Sequence, residues 1–543
     1  MTESYATLVA RRSVFVREAT GLTRQISAID SLSMSLSGMG LLFAFNFVVF
    51  ASAFYPDANP IGIALFGLLL NLPSVGVYTL MAIAMPRTGG DYVWVSRVTN
   101  PLIGFAVNLT LTSITLAFVG SGTTEAVQWA FGEMFYDLGK IYNNNQDFLK
   151  IAMALQTQNM AFWASIILIM IASAVVIASV NLTTRLVRYW TYAALIIAAI
   201  FVVVVLQAGN STFISSFNSL SGSNYVDVIR AGQALGAYDG VPPMFSSSTL
   251  YAAAATGSLA YLGFYYPVYF AGEVKRVRRT QIISQIGGIL IFALFTTIVV
   301  SVEYFGEGPA FANAIANLWA AGGPEFPYLT IPLASGLSMF WSQNPILVAL
   351  FNLSYAATIE IFNITVFFTL ARNLFAWSFD RVLPAAFAKI SDRTHTPIVA
   401  TLTCTMVSVI YTYVTIYQYG ILAATFSYGV AGLMIGIAVV AAAAAIYPYR
   451  RRDLFEVADP MSKSMICGIP VISVLGVLTV IASVTIVYAI ILPVIGGINF
   501  VTILFEGIIP TFMIGIVLFC VSWAVRRRQG VNLELVKREI PPE

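Results

Sequence analysis

The chain has 543 residues, of which 58% are hydrophobic and 10% charged, with a net charge of +3 and a mean hydropathy of +0.83. That balance excludes an ordinary soluble globular protein and describes an all-α polytopic membrane protein. A single histidine, His395 in a predicted loop, and the three separated cysteines Cys404, Cys467 and Cys520 argue against a metal centre, histidine-based catalysis and a disulfide framework.

In chain order, residues 1–25 are polar and basic, without an early apolar h-region or small-residue cleavage site, and read as a cytoplasmic tail rather than a removable signal. Apolar runs of spanning length, about 20 residues each, follow at 26–53, 60–85, 101–130, 159–180, 189–208, 249–272, 281–303, 344–371, 398–417, 421–446, 468–493 and 499–525. Twelve spans are thus expected, five within 26–208, five within 249–446 and two within 468–525. An outer connection at 209–248, a cytoplasmic loop at 447–467 and a cytoplasmic tail at 526–543 separate and end these groups.

Charge placement tests this count without using hydropathy. With the N-terminus in the cytoplasm, 25 of the 28 Lys and Arg residues fall on inward segments, and only Lys140, Lys150 and Arg230 fall outside. The positive-inside rule then places both termini in the cytoplasm of a cell-membrane protein. The basic residues orient the chain and face an anionic leaflet, so they imply a lipid bilayer and no nucleic acid. The outer connections 131–158, 209–248 and 304–343 are long. Within the last, 311–320 has helical periodicity suited to packing over an outer vestibule. Asn210 heads an N-S-T sequon on the outward side.

The sixth run, with its flanks Ser258–Arg279, is built to be interrupted. Gly263 and Pro267 lie four residues apart in an apolar helix that ends at Glu273 and a basic cluster. Such a break survives in a membrane only beside a cavity, where the freed backbone groups can hold an amino group, a carboxylate or a small cation. In the first run Ser35, Ser37, Gly38 and Gly40 crowd SLSGMG at 35–40. Small residues there serve either close helix packing or a second break. The matching break in the sixth run favours a substrate site.

Five motifs in order resemble the amino acid permeases of the amino acid-polyamine-organocation superfamily. AYLGF at 260–264 followed by GEVKRVRR at 272–279 is similar to the family's sixth-helix signature. MPRTGGDY at 85–92, NPLIGF at 100–105, ARNLFAWSFDRVLP at 371–384 and THTPIVA at 394–400 resemble its other signatures. The resemblance implies a leucine-transporter-like fold with a 5+5 inverted repeat, broken helices 1 and 6, and two additional C-terminal helices. It implies a substrate site at Ser37, Gly38, Met39 and Gly40 in the first helix and at Leu259, Tyr261, Leu262, Gly263 and Tyr265 in the sixth. There the Leu262 carbonyl would accept from an ammonium, Gly263 would permit the break, and Tyr261 or Leu259 would close the pocket. Where relatives carry a Gly-small-Gly-Ile-Phe run for the substrate carboxylate, this chain has Leu41, Leu42, Phe43, Ala44 and Phe45, or Met39 to Phe43 when shifted by two. After Gly-Phe, where many relatives place an acid, stands Tyr265. With Tyr266 it makes an aromatic pair suited to an apolar chain or a cation over a ring face.

Among the acids, Glu125, Glu303 and Glu506 are expected near outer ends within reach of water, and Asp91 and Tyr92 are expected to shape an inner loop. Glu360 is expected deep in the eighth span, about 18 Å from Arg372 at about 1.5 Å per residue. An acid at that depth is a candidate proton carrier, a partner for a cationic substrate, or a helix-bridging group. Asn363 and Thr365 could instead offer oxygens to sodium. The fifth span has no lysine for coupling. No nucleotide-binding loop is evident, no cofactor is expected and the chain is not read as an enzyme. The leading expectation is a secondary transporter of a small molecule, an amino acid or related amine, by alternating access with a proton, sodium or exchange. The alternatives are a polyamine or organic-cation transporter, and a non-transporting receptor or channel on the same scaffold.

Overall fold

The computed structural model describes residues 24–322, 326–491 and 508–533. Most of both expected tails, Glu506 and the start of the twelfth expected span lie outside the described residues. Among the described residues, eleven helices are long and apolar enough to cross a membrane. Each falls on one of the twelve expected runs; the exception is the sixth, which contains no helix of spanning length. It consists of short pieces: an α-helix Ser247–Ala252, a π-helical turn Ala253–Gly257, a single turn Ser258–Ala260, and 3₁₀ turns Tyr266–Val268 and Ala271–Glu273.

Local sequence explains where the helices begin. Asn59, Asn100 and Asn344 each cap a spanning helix, their side-chain oxygens accepting from backbone N–H groups two or three residues on, with Pro60, Pro101 and Pro345 in the first turn. Asparagine supplies the acceptor that the first turn lacks, and proline's missing N–H costs nothing there. The helix Ala28–Met39 starts on a reciprocal capping box between Ser27 and Asp30. Leu206, Ile167 and Leu294 are 67%, 61% and 66% exposed, and apolar side chains left outside spanning helices belong against lipid.

The outer connections are largely helical. Val180–Leu220 continues past the expected end of the fifth span after bending at Gly209 (φ 67°), and Tyr225–Ala234 follows it. Gly132–Ile141 and Gln146–Leu155 fill 131–158. The expected periodicity at 311–320 becomes the helix Pro309–Ala321, whose Trp319 packs its ring 6.1 Å from Phe50 and 6.4 Å from Phe54 in the first segment. The sequon residue Asn210 donates to the carbonyls of Gly306 and Glu307 at 3.3 and 2.8 Å, pinning the bend to a neighbouring helix.

Two short backbone pairings hold the far end of the sixth segment. The Ile26 N–H donates to the Glu273 carbonyl at 3.1 Å, and the Lys275 N–H donates to the Ile26 carbonyl at 2.9 Å. The Gly89 N–H reaches the Tyr269 carbonyl at 2.9 Å. A two-stranded hairpin, Met465–Ile466 with Ile469–Pro470, interrupts the run up to the helix Val471–Ile491. Cys404 is buried, Cys467 and Cys520 are exposed, and all three are free thiols.

Candidate functional site

Two breaks face each other. The first segment stops being α-helical at Gly40, whose left-handed conformation (φ 70°) lets its N–H bond back to the Leu36 and Ser37 carbonyls. A 3₁₀ stretch Leu41–Asn46 and a second α-helix Phe47–Phe54 follow. The sixth segment turns at Gly263 (φ 106°), with the Leu262 N–H on the Leu259 carbonyl at 3.0 Å and the Tyr266 N–H on the Gly263 carbonyl at 3.1 Å. The Leu262 carbonyl receives no backbone hydrogen bond among the described residues. Ser35 Oγ donates across the gap to the Phe264 carbonyl at 3.3 Å. A Cβ on Gly263 would collide with the Gly38 carbonyl, and one on Gly38 would run into the Tyr266 ring. Glycine at these two positions is therefore what allows the segments to touch.

A cavity of about 140 Å³ lies at this junction. Its walls are mainly apolar and aromatic, with Phe43, Phe47, Phe118, Tyr265, Tyr266 and Phe362 among them, and Asn46, Thr115, Ser121 and Glu125 bring polar groups. A pocket of that kind binds a small organic molecule by its apolar body and orients it with a few polar contacts.

The sequence-predicted residues divide into three groups. Gly38, Met39, Leu259, Leu262 and Tyr265 line the cavity. Ser37, Gly40 and Gly263 shape the breaks behind it. Tyr261 was expected at the pocket, but it is not among the lining residues. Its hydroxyl donates to the Ala64 carbonyl at 2.7 Å and its ring packs on Phe292 at 5.4 Å. Leu259 and Leu262 are three residues apart on one turn and share a face, and Tyr261, still helical in conformation, points to another. Glu360, Asn363 and Thr365 also lie outside the cavity lining. Glu360 Oε2 accepts from Asn363 Nδ2 at 3.4 Å, Asn363 Nδ2 also reaches Thr123 Oγ1 at 3.0 Å, and Thr365 Oγ1 donates to the Ile361 carbonyl at 2.9 Å.

Two acids expected near water are buried instead: Glu125 is 7% exposed and Glu303 1%. Glu125 lines the cavity. It sits where the α-helix Pro101–Glu125 passes into a π-helical turn, Ala126–Phe131, before Gly132–Ile141 resumes as α-helix. Continuation of the chain as helix beyond the expected span, at 132–141, leaves Glu125 well inside the fold. The sequence signals that accompany it are the small residues Gly120, Ser121 and Gly122 just before.

Polar groups gather below the aromatic pair. The Tyr78 ring packs 5.6 Å from Tyr265, and the Tyr78 hydroxyl reaches Asp91 Oδ2 at 3.4 Å. Asp91 also accepts from Tyr269 at 3.0 Å and from Asn108 at 2.6 Å, while Asn108 Oδ1 accepts from Trp377 at 2.8 Å. Asp91 lies in the connecting helix Gly90–Val98, outside the spans. Burial pushes its carboxyl up to about 6, with the hydrogen bonds from Tyr269, Asn108, the Tyr92 backbone and Tyr78 holding it below what burial alone would give. Beyond it two arginines are fully buried in bidentate pairs: Arg97 with Asp380 at 2.6 and 2.9 Å, and Arg372 with Glu273 at 2.9 Å on both oxygens. Among the described residues no cluster of His, Cys, Asp and Glu could hold a metal ion.

A family model described as amino acid permease matches residues 26–523. A search of curated proteins finds no match to the chain.

Proposed function

Because the chain belongs to the amino acid permease family, we propose that it is a secondary active transporter that moves amino acids or related small amines across the cell membrane by alternating access. The observation that carries this reading is the cavity between the broken first and sixth segments, where the backbone leaves the α-helical conformation at Gly40 and Gly263. Interrupted helices at mid-membrane supply carbonyl and amide groups that a continuous helix keeps for itself.

In this reading the broken sixth segment is the twelfth crossing, spans one to five and six to ten form the two inverted halves, and both termini lie in the cytoplasm. The free Leu262 carbonyl takes the substrate ammonium. Coupling, by a proton or sodium, runs through the group at Glu360, Asn363 and Thr365, which stands beside the cavity rather than in it. Uptake of radiolabelled amino acids and amines into proteoliposomes, with and without imposed proton or sodium gradients, tests the assignment. Accumulation above equilibrium under one gradient is the expected result; no uptake of any of these solutes under either gradient overturns it.

A further inference from the structure

We propose that Glu125 is the counter-charge for the transported substrate, so that the preferred substrates carry a cationic nitrogen away from any carboxylate, as basic amino acids and aliphatic diamines do. The inference rests on the transporter reading of the same cavity and narrows it to a substrate class.

Among the described residues that line the cavity, Glu125 is the only acid and none is Lys, Arg or His. Its side chain has no hydrogen bond or ion pair among the described residues, and the Tyr355 phenol is a polar neighbour. Asp91, by contrast, has three side-chain donors, and Asp380 and Glu273 each hold an arginine; Glu303 and Glu307 also keep a buried oxygen without a partner, but neither lines the cavity. A carboxylate in apolar surroundings without a partner is costly, and a cation arriving with the substrate removes that cost.

The neighbourhood supplies the remaining contacts. Asn46, also in the lining, donates its Nδ2 to the Tyr355 hydroxyl at 2.7 Å and leaves its Oδ1 without a partner. An ammonium or guanidinium has several N–H donors, and two acceptors in one cavity match it better than they match a methyl group. The aromatic lining at Phe43 and Phe47 suits both the aliphatic stem of such a substrate and the field of its cation. The π-helical turn that begins immediately after Glu125 is a device found at functional sites, where it re-aims side chains out of the α-helical register.

The test is equilibrium binding to the purified full-length protein, followed by uptake, with L-arginine, putrescine and L-leucine as probes. Wild type is expected to prefer L-arginine and putrescine to L-leucine. Glu125→Gln is expected to lose about tenfold or more in affinity for the two cations, and Glu125→Asp to keep part of it. Equal cation affinity in wild type and Glu125→Gln, at equal thermal stability, overturns the proposal, and so does a wild-type preference for L-leucine; either leaves the transporter reading intact. Retained affinity in Glu125→Gln with lost acceleration by a proton gradient makes Glu125 a proton carrier and also overturns it. Failure of wild type to bind or move any of the three probes overturns the proposal, while the transporter reading falls only if the wider set of amino acids and amines is also not taken up.

Discussion

Gly38 and Gly263, 225 positions apart in the sequence, meet backbone to backbone, so that neither can gain a β-carbon without striking the other segment. The contact joins the two broken segments at the wall of the cavity. Gly263 carries a second constraint in its φ of 106°, a conformation that L side chains rarely adopt.

Gly263→Leu is therefore expected to abolish uptake while the protein still inserts into the membrane. Gly263→Ala separates crowding from bulk and is expected to retain less than about a tenth of wild-type uptake, since strain and collision each cost on the order of 1–3 kcal/mol. Near-normal uptake by Gly263→Ala, measured in proteoliposomes at matched protein content, would sink the site assignment.

The buried pair Arg372 and Glu273 predicts a stability effect rather than a change of substrate. Removing one partner leaves an uncompensated charge, so Arg372→Ala is expected to destabilise by about 3–5 kcal/mol. Arg372→Met with Glu273→Leu is expected to recover much of that loss. Thermal unfolding of the two single variants and the double variant in detergent gives the coupling, and strict additivity would show that the pair does not act as a unit.

Asp91 predicts a pH dependence. Its carboxyl rises from 3.8 to about 6 on folding, so the folded protein binds that proton more tightly than the unfolded chain does. Its protonation supports stability fully below about 4, and the support is lost as pH rises through about 6. The melting temperature of wild type is expected to fall between about pH 4 and pH 7 relative to that of Asp91→Asn. Parallel curves for the two proteins would show that Asp91 does not titrate in this window.

Glu360 tests coupling. Glu360→Gln is expected to lower gradient-driven uptake and flatten its pH dependence while leaving substrate affinity unchanged, because Glu360 is not part of the cavity lining. An unaltered pH profile would assign Glu360 to packing and turn attention to sodium at Thr365.

Hydropathic length made the spanning helices legible, and paired Gly and Pro residues made the sixth segment legible as a broken one. The direction of individual side chains around the breaks was not. Leu259 and Leu262, three residues apart, face the cavity whereas Tyr261 turns away to Ala64, and a family motif does not say which face of that last turn meets the cavity. Glu125 escaped for a related reason: a chain that continues as helix to Ile141 hides where the hydrocarbon ends, so an acid near the end of an apolar run reads as solvated. The helices in 131–158 were hidden by their amphipathic composition, which has helical but not spanning character. The pairing of Arg97 with Asp380 joins residues 283 positions apart, and nothing local in either neighbourhood announces it.

The two hydrogen bonds between Ile26 and the backbone at Glu273 and Lys275 tie the roots of the first and sixth segments together. Separating the two roots would leave two amides and two carbonyls unpaired. The tie is made by main chain alone, so substituting the Ile26, Glu273 or Lys275 side chain leaves both of its donors and both of its acceptors in place, proline excepted.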